Sequence, residues 1–145
     1  MHGIGVILLV VLAGIGIGTA RAASPEEDVK AAYATFNEAF NRGDAAAVAA
    51  SYTEDAIFLP ATHDVVEGPA KVQEFFAGMF AGGVTGHELE LIEVMGDDEL
   101  IVAAAKWSAR GKDAQGADAT FGGVATHVFE RQPDGSLKLR LHTFN

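Results

Sequence analysis

The chain reads as an α+β domain, with three N-terminal helices packed on one face of a curved, mostly antiparallel sheet. Three observations carry that expectation. The segment Tyr33–Pro60, YATFNEAFNRGDAAAVAASYTEDAIFLP, holds an aromatic-faced helix, a Gly43-Asp44 break, a short alanine-rich helix and a strand in quick succession. A second aromatic face follows at helical spacing in Val72, Phe75, Phe76, Met79 and Phe80. From His87 onward the pattern changes to strand-like runs separated by turn residues.

Each element has a local cause. Ser24 is a good N-cap, Pro25 suits the first helical position, and Glu27 completes a capping box. Val29, Ala32, Tyr33, Phe36, Ala39 and Phe40 then form one apolar face. Gly43 stops that helix, and Asp44 caps a second from Ala45 to about Ser51. Thr53-Glu54-Asp55 reads as an acidic turn that opens the strand Ala56–Leu59, which Pro60 ends. Residues 61–68 form a polar loop with His63, Asp64 and Glu67. Gly68-Pro69 starts the third helix, and Gly82-Gly83 ends it. The strands expected next are His87–Met95, Leu100–Arg110, Ala119–Arg131 and Ser136–Phe144, joined by turns rich in Gly, Asp and Pro. Short turns between consecutive strands imply an antiparallel meander.

Residues 1–22 read as a signal peptide, with an uncleaved anchor as the alternative. The run GIGVILLVVLAGIGIGTA is apolar, and Ala20-Arg21-Ala22 fits a small-x-small cleavage pattern. Its n-region carries no Lys or Arg. Residues 23–145 are then one domain, expected in the periplasm or secreted. The chain has 20 acidic against 10 basic residues and a net charge of −10, which disfavours nucleic acid and anionic lipid as partners. No membrane contact is expected after signal cleavage. There is no cysteine, so disulfides, thiol catalysis and thiolate metal sites are excluded.

At this point the residues resemble a family. The order of elements, the stretch FNRGDAAAVAASYTEDAIFLP, the GPAKVQEFF helix and the closing LKLRLHTFN are similar to the SnoaL-like, SgcJ/EcaC-type proteins of the nuclear-transport-factor-2-like superfamily. The likeness spans about residues 25–145. It implies a cone-shaped, cystatin-like roll enclosing an apolar pocket, with an outer sheet face that often forms a homodimer. It does not imply one activity, because this fold hosts many. The steroid isomerases of the superfamily place a tyrosine where this chain has Phe36 and a base aspartate where it has Pro60. Their acidic donor falls near Thr126 or His127. Without a base and an oxyanion donor at those positions, ketosteroid isomerase activity is not transferred.

His127 is the leading catalytic candidate. Strand alternation puts it with Phe121, Ala125 and Phe129 on one face. It reads either as a pocket base or donor, or as a satisfied core or interface histidine. Trp107 shares a face with Ile101, Ala103, Ala105 and Ala109, and either walls a cavity or fills it. A third possibility puts His127 and Trp107 on a dimer face. Strict alternation sets His142 beside Lys138 and Arg140, on solvent or at a pocket mouth, and opposite Leu137, Leu139 and Leu141. Asp55 is the carboxylate candidate, with a turn or cap as its alternative role. Tyr33, Phe36, Phe40, Phe58, Phe75 and Trp107 are the expected ligand-binding residues, the aromatics being core first. No metal site and no cofactor are expected, since no histidines are paired at ligand spacing and no phosphate loop or dinucleotide fingerprint is present. The expected partner is a small apolar or amphipathic molecule. It would be bound by an exported domain with acid–base chemistry of isomerase, dehydratase or hydrolase type. The alternative is a non-catalytic binding or dimerisation module.

Overall fold

The structure, a computed structural model, describes residues 23–145, so the expected signal segment lies outside the described residues. The element order is α1 (Pro25–Asn41), α2 (Ala45–Ala49), β1 (Tyr52–Leu59), β2 (Val66–Glu67), α3 (Gly68–Ala81), β3 (Thr85–Gly96), β4 (Leu100–Lys112), β5 (Asp118–Arg131) and β6 (Leu137–Phe144). The α+β expectation is met: the strands form one six-stranded sheet in the order β2-β1-β6-β5-β4-β3, open at both edges. The last four strands are an antiparallel meander, and β1 adds to β6 in parallel.

The helix signals act as the sequence indicates. Ser24 Oγ accepts from the Glu27 amide and the Glu27 carboxylate accepts from the Ser24 amide, so the capping box is closed. Gly43 adopts φ 68°, a left-handed conformation that glycine enters without a Cβ penalty, and Asp44 accepts from the Ala47 amide to start α2. One reading is corrected. Thr53-Glu54-Asp55 is not a turn, since β1 begins at Tyr52 and runs through it. The pull of the acidic residues toward a turn is overridden by backbone pairing, with Tyr52 beside Leu139 of β6.

The sheet curves because its strands carry irregularities. In β6 one extra residue, Arg140, sits between Leu139, opposite Phe129, and Leu141, opposite Val128. In β3 Ile92 is extra in the same sense against β4. Each such bulge bends its strand and reverses the inward–outward parity beyond it. The concave face is covered by the helices, α1 against β3 and α3 against β1 and α2. Val29, Phe36, Phe40, Tyr52, Phe58 and Phe76 form the centre of the core they enclose.

Candidate functional site

Three histidines meet inside the cone, one from each of three strands. His127 comes from the middle of β5, His142 from β6 and His87 from the start of β3, with relative exposures of 2 %, 6 % and 9 %. The rings of His127 and His142 are 4.5 Å apart, and His87 stacks on Phe40 at 4.5 Å. Around them stand Phe36, Phe40, Phe76, Trp107, Ala125 and Phe144.

Every one of these imidazoles is tied through Nδ1. The Tyr33 hydroxyl lies 2.8 Å from His127 Nδ1, the Tyr52 hydroxyl 2.7 Å from His142 Nδ1, and Asn37 Oδ1 2.7 Å from His87 Nδ1. Burial raises both tyrosines well above the ordinary phenol range, so they stay protonated. A buried O–H must donate, and these ring nitrogens are its partners, so Tyr33 and Tyr52 donate to Nδ1. His127 and His142 therefore carry their proton on Nε2. Asn37 Oδ1 can only accept, so His87 carries its proton on Nδ1 and presents a lone pair at Nε2.

None of the three Nε2 atoms makes a hydrogen bond within the described residues, and since no fully buried side-chain nitrogen or oxygen among those residues lacks a partner, each Nε2 keeps some accessible surface. All three histidines line a small cavity of about 30 Å³, and His87 also borders an open groove at the sheet edge. Beyond Phe36, Leu89 and His127, which wall both spaces, lies a cleft of about 250 Å³ between α1 and the β5–β6 hairpin. No Asp, Glu, Lys or Arg lines the inner cavity. The cleft has one carboxylate, Asp28, ion-paired to Arg131 at 2.8 Å. Desolvation holds His127 down at about 3, aided by the nearby His87, and holds His87 at about 4. It also pushes His142 far below the usual imidazole range. The three rings are thus neutral hydrogen-bonding groups in an aromatic cup.

Several expectations are met here and others are corrected. His127 and Trp107 both line the inner cavity, His127 buried within the fold itself. Trp107 lines the inner cavity, and its indole N–H donates to the Asn145 carbonyl at 3.0 Å. Gly123 makes room for that latch, because a Cβ there would collide with Asn145. Tyr33, Phe36 and Phe40 line one or both spaces. Phe58 and Phe75 do not: Phe58 is buried against His142 at 4.8 Å, and Phe75 packs edge-on to Phe58 at 5.0 Å. Phe76 takes the lining position on α3 instead.

His142 is inward, contrary to strict alternation, because the Arg140 bulge puts Leu139 and His142 on the same face. Asp55 is not part of the site. It lies on the exposed face of β1, where its carboxylate accepts from the Thr53 hydroxyl at 3.0 Å and lies 3.3 Å from Arg140 Nη2. That removes it as a catalytic partner of His127. Sequence reasoning missed His87, Tyr52 and Asn37 as site residues. A signal existed for His87, which shares strand parity with Leu89 and Leu91. Among the described residues no group of three or more His, Cys, Asp or Glu is placed to hold a metal ion, and no helix is long and apolar enough to cross a membrane.

A curved sheet wrapped over helices around an internal pocket defines the class of nuclear-transport-factor-2-like, cystatin-like proteins. Within that class, a family model described as the SnoaL-like domain matches residues 33–139, and the chain belongs to that family. Solved structures agree on the fold. A ketosteroid isomerase-like protein from Erwinia carotovora is 20 % identical, with a TM-score of 0.70, covering 80 % of this chain and 91 % of that one. Aln2 from a Streptomyces species is 23 % identical at TM-score 0.71, covering 86 % and 94 %. A cystatin-like domain of unknown function from Nostoc punctiforme is 18 % identical at TM-score 0.70, covering 86 % and 78 %. No curated protein sequence matches the chain.

Proposed function

We propose that this domain binds a small apolar or amphipathic molecule, with its polar end against the histidine cluster and its apolar body toward the cleft under α1. One observation carries the reading: three buried imidazoles spend Nδ1 on the protein, make no hydrogen bond at Nε2, and line one small cavity. Burying polar groups is costly unless they are satisfied, and a ligand oxygen would accept from the His127 and His142 Nε2–H groups. The inner cavity holds only a polar head of one or two heavy atoms, whereas the cleft suits a ring-sized body.

The same geometry favours binding over proton shuttling. An efficient base titrates near the working pH, whereas burial holds His127 at about 3 and His87 at about 4. His127 and His142 act as donors to a ligand oxygen, as in an oxyanion site, rather than as bases. Ketosteroid isomerase chemistry is not carried over, since Phe36 and Pro60 stand where its tyrosine and base would be. The reading places the domain outside the cytoplasm, as residues 1–22 lead us to expect.

Trp107 is the chain's sole tryptophan and lines the cavity, so it is a built-in reporter. Titration with a panel of small aryl ketones, alcohols and hydrocarbons should give a saturable change in its fluorescence. His127→Phe should weaken the best binder by roughly tenfold, one lost hydrogen bond. A panel with no saturable member would sink the binding reading.

A further inference from the structure

We propose that Phe36, Leu89 and His127 form a neck between the cleft and the inner cavity, and that this neck selects the shape of the ligand. The class it selects is a compact bicyclic molecule with one small neutral polar substituent, such as a hydroxyl or a hydroxymethyl group. The inference rests on the binding reading above and adds the residues that set its selectivity.

The neck follows from which residues the two spaces share. Phe36, Leu89 and His127 line both the cleft and the inner cavity, whereas His87 and His142 line the inner cavity but not the cleft. The three shared residues come from α1, β3 and β5, so the passage is bounded by three separate elements. Each wall is held in place. The Tyr33 hydroxyl fixes His127 through Nδ1 at 2.8 Å. Phe36 is buried and packs against His87, Phe76 and Phe40 at ring distances of 5.5, 5.9 and 6.3 Å. Leu89 sits opposite Trp107 in the β3–β4 register. Side chains packed at interior density do not swing aside without opening a void, so the neck is a fixed aperture.

The volumes on either side of the neck then fix the two ends of the ligand. An apolar cavity of about 150 Å³ holds benzene, so a cleft of about 250 Å³ takes a body of about ten heavy atoms, a bicyclic one. The inner cavity, at about 30 Å³, has room for a head little larger than a water molecule. That head is neutral, because no charged side chain lines the inner cavity and an unpaired charge there is costly. A branched head, such as a tertiary alcohol, fits neither the neck nor the cavity behind it.

The test compares three probes that share one body: 2-naphthol, 2-naphthalenemethanol and 2-(2-naphthyl)propan-2-ol. Affinity is read by calorimetry, since naphthols fluoresce themselves. On the wild-type protein the first two should bind within a few-fold of each other, and the tertiary alcohol roughly tenfold or more weakly. Phe36→Leu and Leu89→Ala each cut back one wall of the neck, and either should narrow that gap to a few-fold. Leu137→Ala enlarges the cleft alone and should leave the gap as it stands. Equal binding of all three probes to the wild type would overturn the neck while leaving the binding reading intact. So would a gap that persists in the folded neck variants, or one that Leu137→Ala closes as far as they do. No binding of any of the three, together with a silent fluorescence panel, would overturn both.

Discussion

At the scale of single residues, the site consists of three imidazoles and the three side chains that orient them. Tyr52 is the clearest case, because it serves His142 from a fully buried position. Tyr52→Phe keeps the ring packing and removes the O–H, leaving His142 Nδ1 without its donor. The expected cost is about 1–2 kcal/mol, measured as a shift of the urea midpoint at unchanged slope. A change within about 0.3 kcal/mol would mean that this hydrogen bond is not made. Legibility in the sequence followed the regularity of each residue's strand. His127 sits in an unbroken stretch of β5, and simple alternation grouped it with Ala125 and Phe129, on the face that turns inward in the structure. His142 lies beyond a bulge, and the same rule sent it outward. Tyr52 was hidden because the acidic run after it reads as a turn. Asp55 attracted a catalytic reading for the same reason, yet that run is a strand whose exposed side carries the carboxylate.

At the scale of elements, the Arg140 bulge decides what the pocket contains. It allows Leu139 to pack in the core and His142, three residues on, to reach the cavity. Side chain and inserted residue can be separated experimentally. Arg140→Ala removes a partly exposed ion pair with Asp55, expected to cost under about 1 kcal/mol in a urea melt. Deleting Arg140 removes the extra residue and turns either His142 or Leu139 outward. That change should cost several times more, or prevent folding, because a one-residue slip exchanges the two faces of the strand. Equal effects of the two changes would show that the bulge does not set the register. The helices, by contrast, were legible almost to the residue. Their start and stop signals are local: the Ser24 capping box, Gly43 at its positive φ, Asp44 and Gly68-Pro69. Bulges depend on pairing with a neighbouring strand, so a linear pattern does not carry them.

At the scale of the whole molecule, burying three neutral histidines couples folding to pH. Each folded ring titrates below its unfolded value of about 6.5, so the unfolded chain binds more protons in the interval between. Stability is full above about pH 6.5 and falls as pH drops toward about 4. For His87 alone, the loss at pH 5 relative to pH 8 is about 2 kcal/mol. The groups facing these rings are Tyr33, Tyr52 and the other histidines, with no carboxylate on the inner cavity to compensate. Three such terms are a large part of a domain's net stability, so thermal melts should show a steep loss between about pH 6 and pH 4.5. A midpoint flat across that range would contradict the burial of the cluster. The most direct measurement is the nitrogen spectrum of the histidine rings in the intact domain, followed from about pH 8 to about pH 6, where an ordinary imidazole becomes largely charged. The account predicts that His127 and His142 stay neutral with the proton on Nε2, and that His87 stays neutral with the proton on Nδ1. A ring of the three that charges near pH 6.5, or a proton on Nδ1 of His127 or His142, would contradict it.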